Sequence, residues 1–132
     1  MIMKRRSFVL LLACVCLWAV SCQNSKKKNT PEAAVESFAK AFYTADFPHM
    51  YQYTTKRSHV LLQSMQNGMR DKESRLEKMK NSQVEILGIN VLEQNDSAAV
   101  CDCQVTIDGQ PRHDKWDLMK EDEVWKVTLA MP

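Results

Sequence analysis

The sequence predicts an α+β fold, with N-terminal helices packed on a curved antiparallel sheet of about four strands. Three observations carry that prediction. Asp108-Gly109 stands between two runs of alternating apolar and polar residues. This is the strongest short-range hairpin signal, because both central residues of a type I′ turn need positive φ. Ahead of those runs, Val35, Phe38, Ala41, Phe42 and Ala45 recur at helical spacing and form one apolar face. Helical pattern first and strand pattern afterwards, with no alternation of the two, is the order of an α+β domain.

The first twenty-nine residues precede the fold. Lys4, Arg5 and Arg6 lead into an unbroken apolar run from Phe8 to Val20, followed by Ser21 and Cys22. A basic start, an apolar stretch and a small-residue cleavage site make a secretory signal segment. Its thirteen apolar residues fall short of the roughly 17 to 25 that a membrane span requires. Ala19-Val20-Ser21-Cys22 resembles the lipobox of a bacterial lipoprotein precursor, with Cys22 as the residue to be diacylated and to become the mature N-terminus. The first lipobox position is usually Leu and is Ala19 here, and Ala19-x-Ser21 also suits an ordinary signal peptidase cutting the same bond. A Cys directly after the cut favours lipidation. The resemblance implies an anchor in membrane lipid without a spanning helix, each buried methylene adding about 0.8 kcal/mol.

The chain then divides into a signal segment at 1–21, a polar tether at 22–29 and one domain at 30–132. The tether carries Lys26, Lys27 and Lys28 in a row, a solvated charge block that can also be drawn to anionic head groups. No acidic cluster follows Cys22, which leans towards a lipid-anchored, periplasm-facing position in the cell envelope of a Gram-negative bacterium. Removing 1–21 leaves fifteen of the eighteen basic residues against all sixteen acidic ones, so the formal charge falls from +2 to −1. The basicity belongs to the targeting segment, and no nucleic-acid footprint remains.

Within the domain, Thr30-Pro31-Glu32 opens a helix with an N-cap Thr, Pro at the first helical position and an acid at the positive end of the dipole. It is expected to stop near Ala45. Phe47-Pro48 opens a short helix carrying Met50, Tyr51 and Tyr53. A third, longer helix is expected from about Ser58 to Lys80, with Leu61, Met65, Met69, Leu76 and Met79 on one stripe and Gly68 weakening its middle. The methionine stripe reads as core or as a partner surface.

In the sheet, a turn at Asp108-Gly109 sets Cys101 opposite Trp116, Ala99 opposite Leu118 and Cys103 opposite Asp114, all on one inward face. A loop around Glu121-Asp122 sets Leu118 opposite Trp125 and Trp116 opposite Val127, and agrees on that face. An upstream strand from Gln83 to Gln94 turns through Asn95-Asp96. It places Val84, Ile86 and Leu92 inward, but also Gly88 and Asn90, while Leu87, Ile89 and Val91 compete for the other side. A bulge near Gly88 is therefore expected.

The opening Thr30-Pro31-Glu32 helix, Ala45-Asp46-Phe47, Ala99-Val100 and the closing Val124-Trp125-Lys126-Val127 resemble the nuclear transport factor 2-like superfamily. The nearest likeness is to an uncharacterised family of small bacterial lipoproteins with that domain. The resemblance spans about residues 30 to 129. It implies a cone-shaped, cystatin-like sheet wrapped round a long helix, with a pocket at the open end. Some members are isomerases, dehydratases or cyclases, but none of their catalytic motifs is matched here.

The residues placed near that pocket are Asn90, Cys103, Arg112, Asp114, Trp116 and Trp125. Asp114 is the one catalytic candidate, a general base if burial raises its pKa. The competing reading is a structural Asp114–Arg112 pair at the rim. Cys101 and Cys103 stand two apart on one strand face, a poor geometry for a disulfide, and read as buried thiols. His113 has outward parity, and His49 and His59 show no metal spacing, so no metal or other cofactor is expected. The resulting reading is a membrane-anchored lipoprotein with a non-enzymatic binding or accessory domain for a small apolar ligand or a protein partner. The alternatives are a small cone-fold enzyme using Asp114, and a homodimer formed through outward Val100, Leu87 and Val91.

Overall fold

The structure is a computed structural model and describes residues 28–129. Helix α1 (Pro31–Tyr43) starts as its sequence dictates: the Thr30 hydroxyl accepts from the Ala33 amide at 3.2 Å, and Pro31 and Glu32 fill the first turn. It ends where Thr44 turns its hydroxyl back on the Lys40 carbonyl at 2.6 Å and Ala45 takes a φ of 53°. Helix α2 (Phe47–Tyr53) is capped by Asp46, which accepts from the His49 amide. A 3₁₀ turn (Lys56–Ser58) leads into α3 (His59–Gly68), and α4 (Glu73–Lys80) comes next.

The expected single helix from Ser58 to Lys80 is therefore two. The interruption begins at Gly68, whose intrinsic cost of about 1 kcal/mol against Ala is not offset by packing: a β-carbon built there meets nothing within 4 Å. The stripe also differs from expectation by one residue, since Leu62, and not Leu61, is the fully buried member. Met65, Met69, Leu76 and Met79 lean on the core half-buried, and α4 contributes no fully buried residue.

Four strands, β1 (Val84–Gln94), β2 (Ala98–Ile107), β3 (Gln110–Glu121) and β4 (Val124–Thr128), form one antiparallel meander in sequence order. The β2–β3 register is the expected one throughout, from Ile107 opposite Gln110 to Ala98 opposite Met119, with Asp108 and Gly109 at φ 51° and 80°. The β3–β4 pairing is two residues away from expectation. The turn is Asp122-Glu123, with φ 52° and 64°, so Leu118 faces Val127 and Trp125 faces Lys120. A two-residue slip preserves side-chain parity, which is why the apolar face survives the error.

In β1 the expected bulge lies between Ile86 and Gly88, and a second lies between Val91 and Glu93. The first flips the parity of the residues beyond it. Ile89 and Val91 turn inward opposite Cys103 and Cys101, whereas Asn90 is exposed opposite Asp102. This corrects the placement of Asn90 in the pocket and of Val91 on the outer face. Leu87 and Leu92 are exposed outside, so Leu92 is not an inward residue.

Helix α1 lies across the concave face of the sheet. Val35, Phe38 and Ala39 from the helix and Cys101, Cys103, Val105 and Val127 from the strands have no exposure at all. Burying Phe38 alone is worth about 3 kcal/mol on apolar area. The remaining edge of β4 is tied to the α2–α3 connector: the Thr55 amide donates to the Val127 carbonyl at 3.0 Å, and the Leu129 amide donates to Ser58 Oγ at 2.8 Å. At the other end of the chain, the Asn29 side chain donates to the Glu123 carbonyl at 2.7 Å and accepts from the Trp125 amide at 3.0 Å. Among the described residues no helix is long and apolar enough to cross a membrane. The expected lipidation residue Cys22, the signal segment and most of the tether lie outside the described residues.

Candidate functional site

The break at Gly68 folds the α3–α4 arm over one end of α1 and leaves a cleft of about 600 Å³ beneath it. Phe42, Phe47 and Met50 form its floor, and Met65, Met69 and Met79 its arm-side wall. Ile107 and Asp108 close the far end, so the type I′ turn that sets the sheet register also shapes the cleft. Its rim is basic, with Arg75 and Lys78 from α4 and Arg112 from β3. Asp108 is the one acidic residue of the lining, and its carboxylate accepts from the Gln83 amide at 2.9 Å.

Arg112 belongs to a small cluster at the cleft edge. Its Nε donates to Asp114 Oδ2 at 3.0 Å, and its guanidinium lies 5.3 Å from the centre of the Tyr43 ring. The buried Tyr43 hydroxyl donates to the same Asp114 oxygen. Burial, reinforced by that carboxylate, raises the Tyr43 phenol well above its ordinary value. The cluster is a rim ion pair closed by a phenol. Asp114 Oδ2 already accepts twice, an arrangement that positions Arg112 and Tyr43 and leaves that oxygen without a free lone pair for a substrate proton.

The other expected pocket residues are elsewhere. Cys103 is fully buried beside Cys101 beneath α1; burial pushes both thiols up to about 11, helped at Cys103 by the Asp114 carboxylate and at Cys101 by Glu32. Trp116 is wedged edge-on against Phe38 and Phe42, with ring centres at 4.9 and 5.1 Å. Trp125 is core, with Lys120 Nζ over its ring at 5.2 Å. Of the six residues expected around the pocket, Arg112 alone lines the cleft, with Asp114 bonded to it at the edge. Sequence reasoning missed Phe47, Arg75, Lys78 and Ile107. The available signal was the apolar stripe Met65, Met69 and Met79 with Arg75 and Lys78 interleaved, which on an unbroken helix reads as core or as a partner surface.

A second cleft of about 440 Å³ lies on the other side of α1 and is more polar, with Ser37, Lys40, Asp46, His49 and Tyr53 in its lining. The 2.6 Å Asp46–His49 contact there belongs to the cap of α2, since the same carboxylate accepts the His49 amide. Among the described residues no group of three or more His, Cys, Asp and Glu side chains is arranged to hold a metal ion.

No family model matches the chain, and no curated protein matches its sequence. Among solved structures it is similar to a Campylobacter jejuni protein whose crystal structure carries the provisional description of an NTF2-like transpeptidase. The TM-score is 0.49 at 16% identity, over 70% of this chain and 92% of that one. A likeness this distant carries nothing about this chain's activity. The α+β arrangement itself, helices followed by a curved four-stranded meander, is the one that the sequence resemblance implies.

Proposed function

We propose that this chain is a lipid-tethered, non-enzymatic binding domain of the bacterial cell envelope, holding a small apolar ligand in the cleft under the α3–α4 arm. The observation that carries the reading is the cleft itself. At about 600 Å³ it lies within the roughly 300 to 1,000 Å³ of small-molecule sites, and like them it has an apolar floor with a few polar groups at one side. Met65, Met69 and Met79 supply much of that apolar surface, and the unbranched, polarisable side chain of methionine re-packs around ligands of differing shape. The tether reading is supported by the basic, apolar and small-residue order of 1–21 and by Cys22 directly after it.

The test is mass spectrometry of the full chain extracted from its native membrane, with the small molecules released on denaturation identified. A stoichiometric apolar compound is expected, absent from a Met69→Glu variant that puts a charge in the wall. Extraction of the folded chain with no such compound, together with no response of the cleft methionines to any hydrophobic probe, would overturn the reading.

A further inference from the structure

The rim of the cleft narrows the ligand class, and this step rests on the binding reading above. Arg75 and Lys78 stand one turn apart on α4, the spacing at which helix side chains are neighbours. Among the described residues neither has a carboxylate within ion-pair distance. Arg112 faces them from β3, held by Asp114 through Nε only, so the outer edge of its guanidinium fork is not used in that bond. Asp108, the sole acid in the lining, accepts the Gln83 amide through Oδ1 and makes no ion pair with Arg75, Lys78 or Arg112. The cleft is thus lined mostly by apolar side chains, with two cations at its lip that no carboxylate among the described residues pairs and a third, Arg112, paired by Asp114 through one nitrogen.

We infer that the ligand is a single-chain anionic amphiphile, its acid group held between Arg112 and the Arg75–Lys78 turn and its chain laid along Met65, Met69 and Met79. A carboxylate or a phosphate monoester suits a guanidinium fork, which donates two parallel hydrogen bonds to either. A neutral head would leave Arg75 and Lys78 unanswered, and a cationic head would be repelled by them. The volume, in the middle of the range for small-molecule sites, suits one chain better than the two of an intact phospholipid. The arm is also suited to admit it. Helix α4 contributes no fully buried residue, and a further cleft of about 560 Å³ runs along its opposite flank beside Leu76 and Lys80. Its contacts with the core run through Leu76 and Met79, both half-buried, so a shift of α4 over a ligand would disturb that edge of the core alone.

The experiment uses the full chain in zwitterionic nanodiscs, labelled with ¹³C at the methionine methyl groups, and titrated with decanoate, decyl phosphate, decanol and decyltrimethylammonium. Empty discs and the Arg75→Gln, Lys78→Gln double variant serve as references. Met119, exposed on the outer sheet face, is an internal control. Decanoate or decyl phosphate is expected to shift Met65, Met69 and Met79 and to leave Met119 in place. Binding is expected to be about tenfold tighter than for decanol, a margin that the double variant removes. Octanoate should bind more weakly by about fourfold per methylene lost, from about 0.8 kcal/mol each. A phosphate preference assigns the ligand to lysophospholipid-like molecules, a carboxylate preference to free fatty acids, and either supports the inference. Equal binding of decanol and decanoate overturns the anionic class while leaving the apolar cleft standing. Absence of any shift at the cleft methionines with all four probes overturns both.

Discussion

The two halves of the helical layer each carry an apolar stripe and reach different ends. Helix α1 buries Val35, Phe38 and Ala39 completely against β2 and β4, whereas the α3–α4 arm buries Leu62 and otherwise leaves its methionines half-covered around a cleft. Close packing of branched and aromatic side chains gives a single stable arrangement. A hinged arm of methionines gives a surface that adjusts. Stability and adaptability are thus segregated along the chain: the sheet and α1 hold the shape, and the arm borders the cleft proposed to take a ligand.

That contrast can be broken by mutation. Phe38→Ala is expected to cost about 3 to 5 kcal/mol in denaturant unfolding, while Leu76→Ala on the arm costs under about 2 kcal/mol; equal losses would erase the distinction. A second test uses the buried thiols. Cys101 and Cys103 keep their protons to about pH 11 in the folded chain, against 9.0 when exposed. The unfolded chain releases those protons first, so stability is full below the exposed value and falls as pH climbs through the folded one. A Cys101→Ala, Cys103→Ala double variant is expected to start less stable and to lose less between about pH 9 and 11, by up to a few kcal/mol. Chemical denaturation across that range decides it, and an equally steep decline in both proteins would show that the thiols are not the cause. Smaller effects come from the two glycines. Gly109→Ala is expected to lose about 1 to 2 kcal/mol through its φ of 80° alone, because nothing lies within 4 Å of the added carbon. Gly68→Ala has the same open surroundings without the left-handed backbone. It should gain up to about 1 kcal/mol and raise the far-ultraviolet helix signal; a loss would mean that the interruption is required by something other than propensity.

Legibility in the sequence tracked the range of the interactions. The Thr30-Pro31 start and the Asp108-Gly109 turn rest on bonds between near neighbours, and both formed where expected. Strand parity was legible for the same reason, so the β3–β4 turn lay one residue from expectation, and its pairing two, without moving Trp116 or Leu118 to the wrong side. The bulge before Gly88 was visible as a conflict between two apolar sets, but which set won after it depended on Cys101 and Cys103 across the strand. The cleft was the least legible part. It exists because two helices meet at an angle across Gly68, and Arg75 and Arg112 come together over that gap from distant points of the chain. No local pattern announces such a meeting.

Asn29 holds the end of the proposed tether against the β3–β4 turn, whereas the cleft closes at the β2–β3 turn. These are opposite ends of β3, whose twelve residues span roughly 35 to 40 Å. A chain anchored at Cys22 would therefore present its cargo door away from the bilayer that moors it, facing the aqueous gap. Traffic into the cleft would pass through water and not sideways out of the mooring leaflet, and the short leash at 22–28 would fix how far across that gap the doorway can swing.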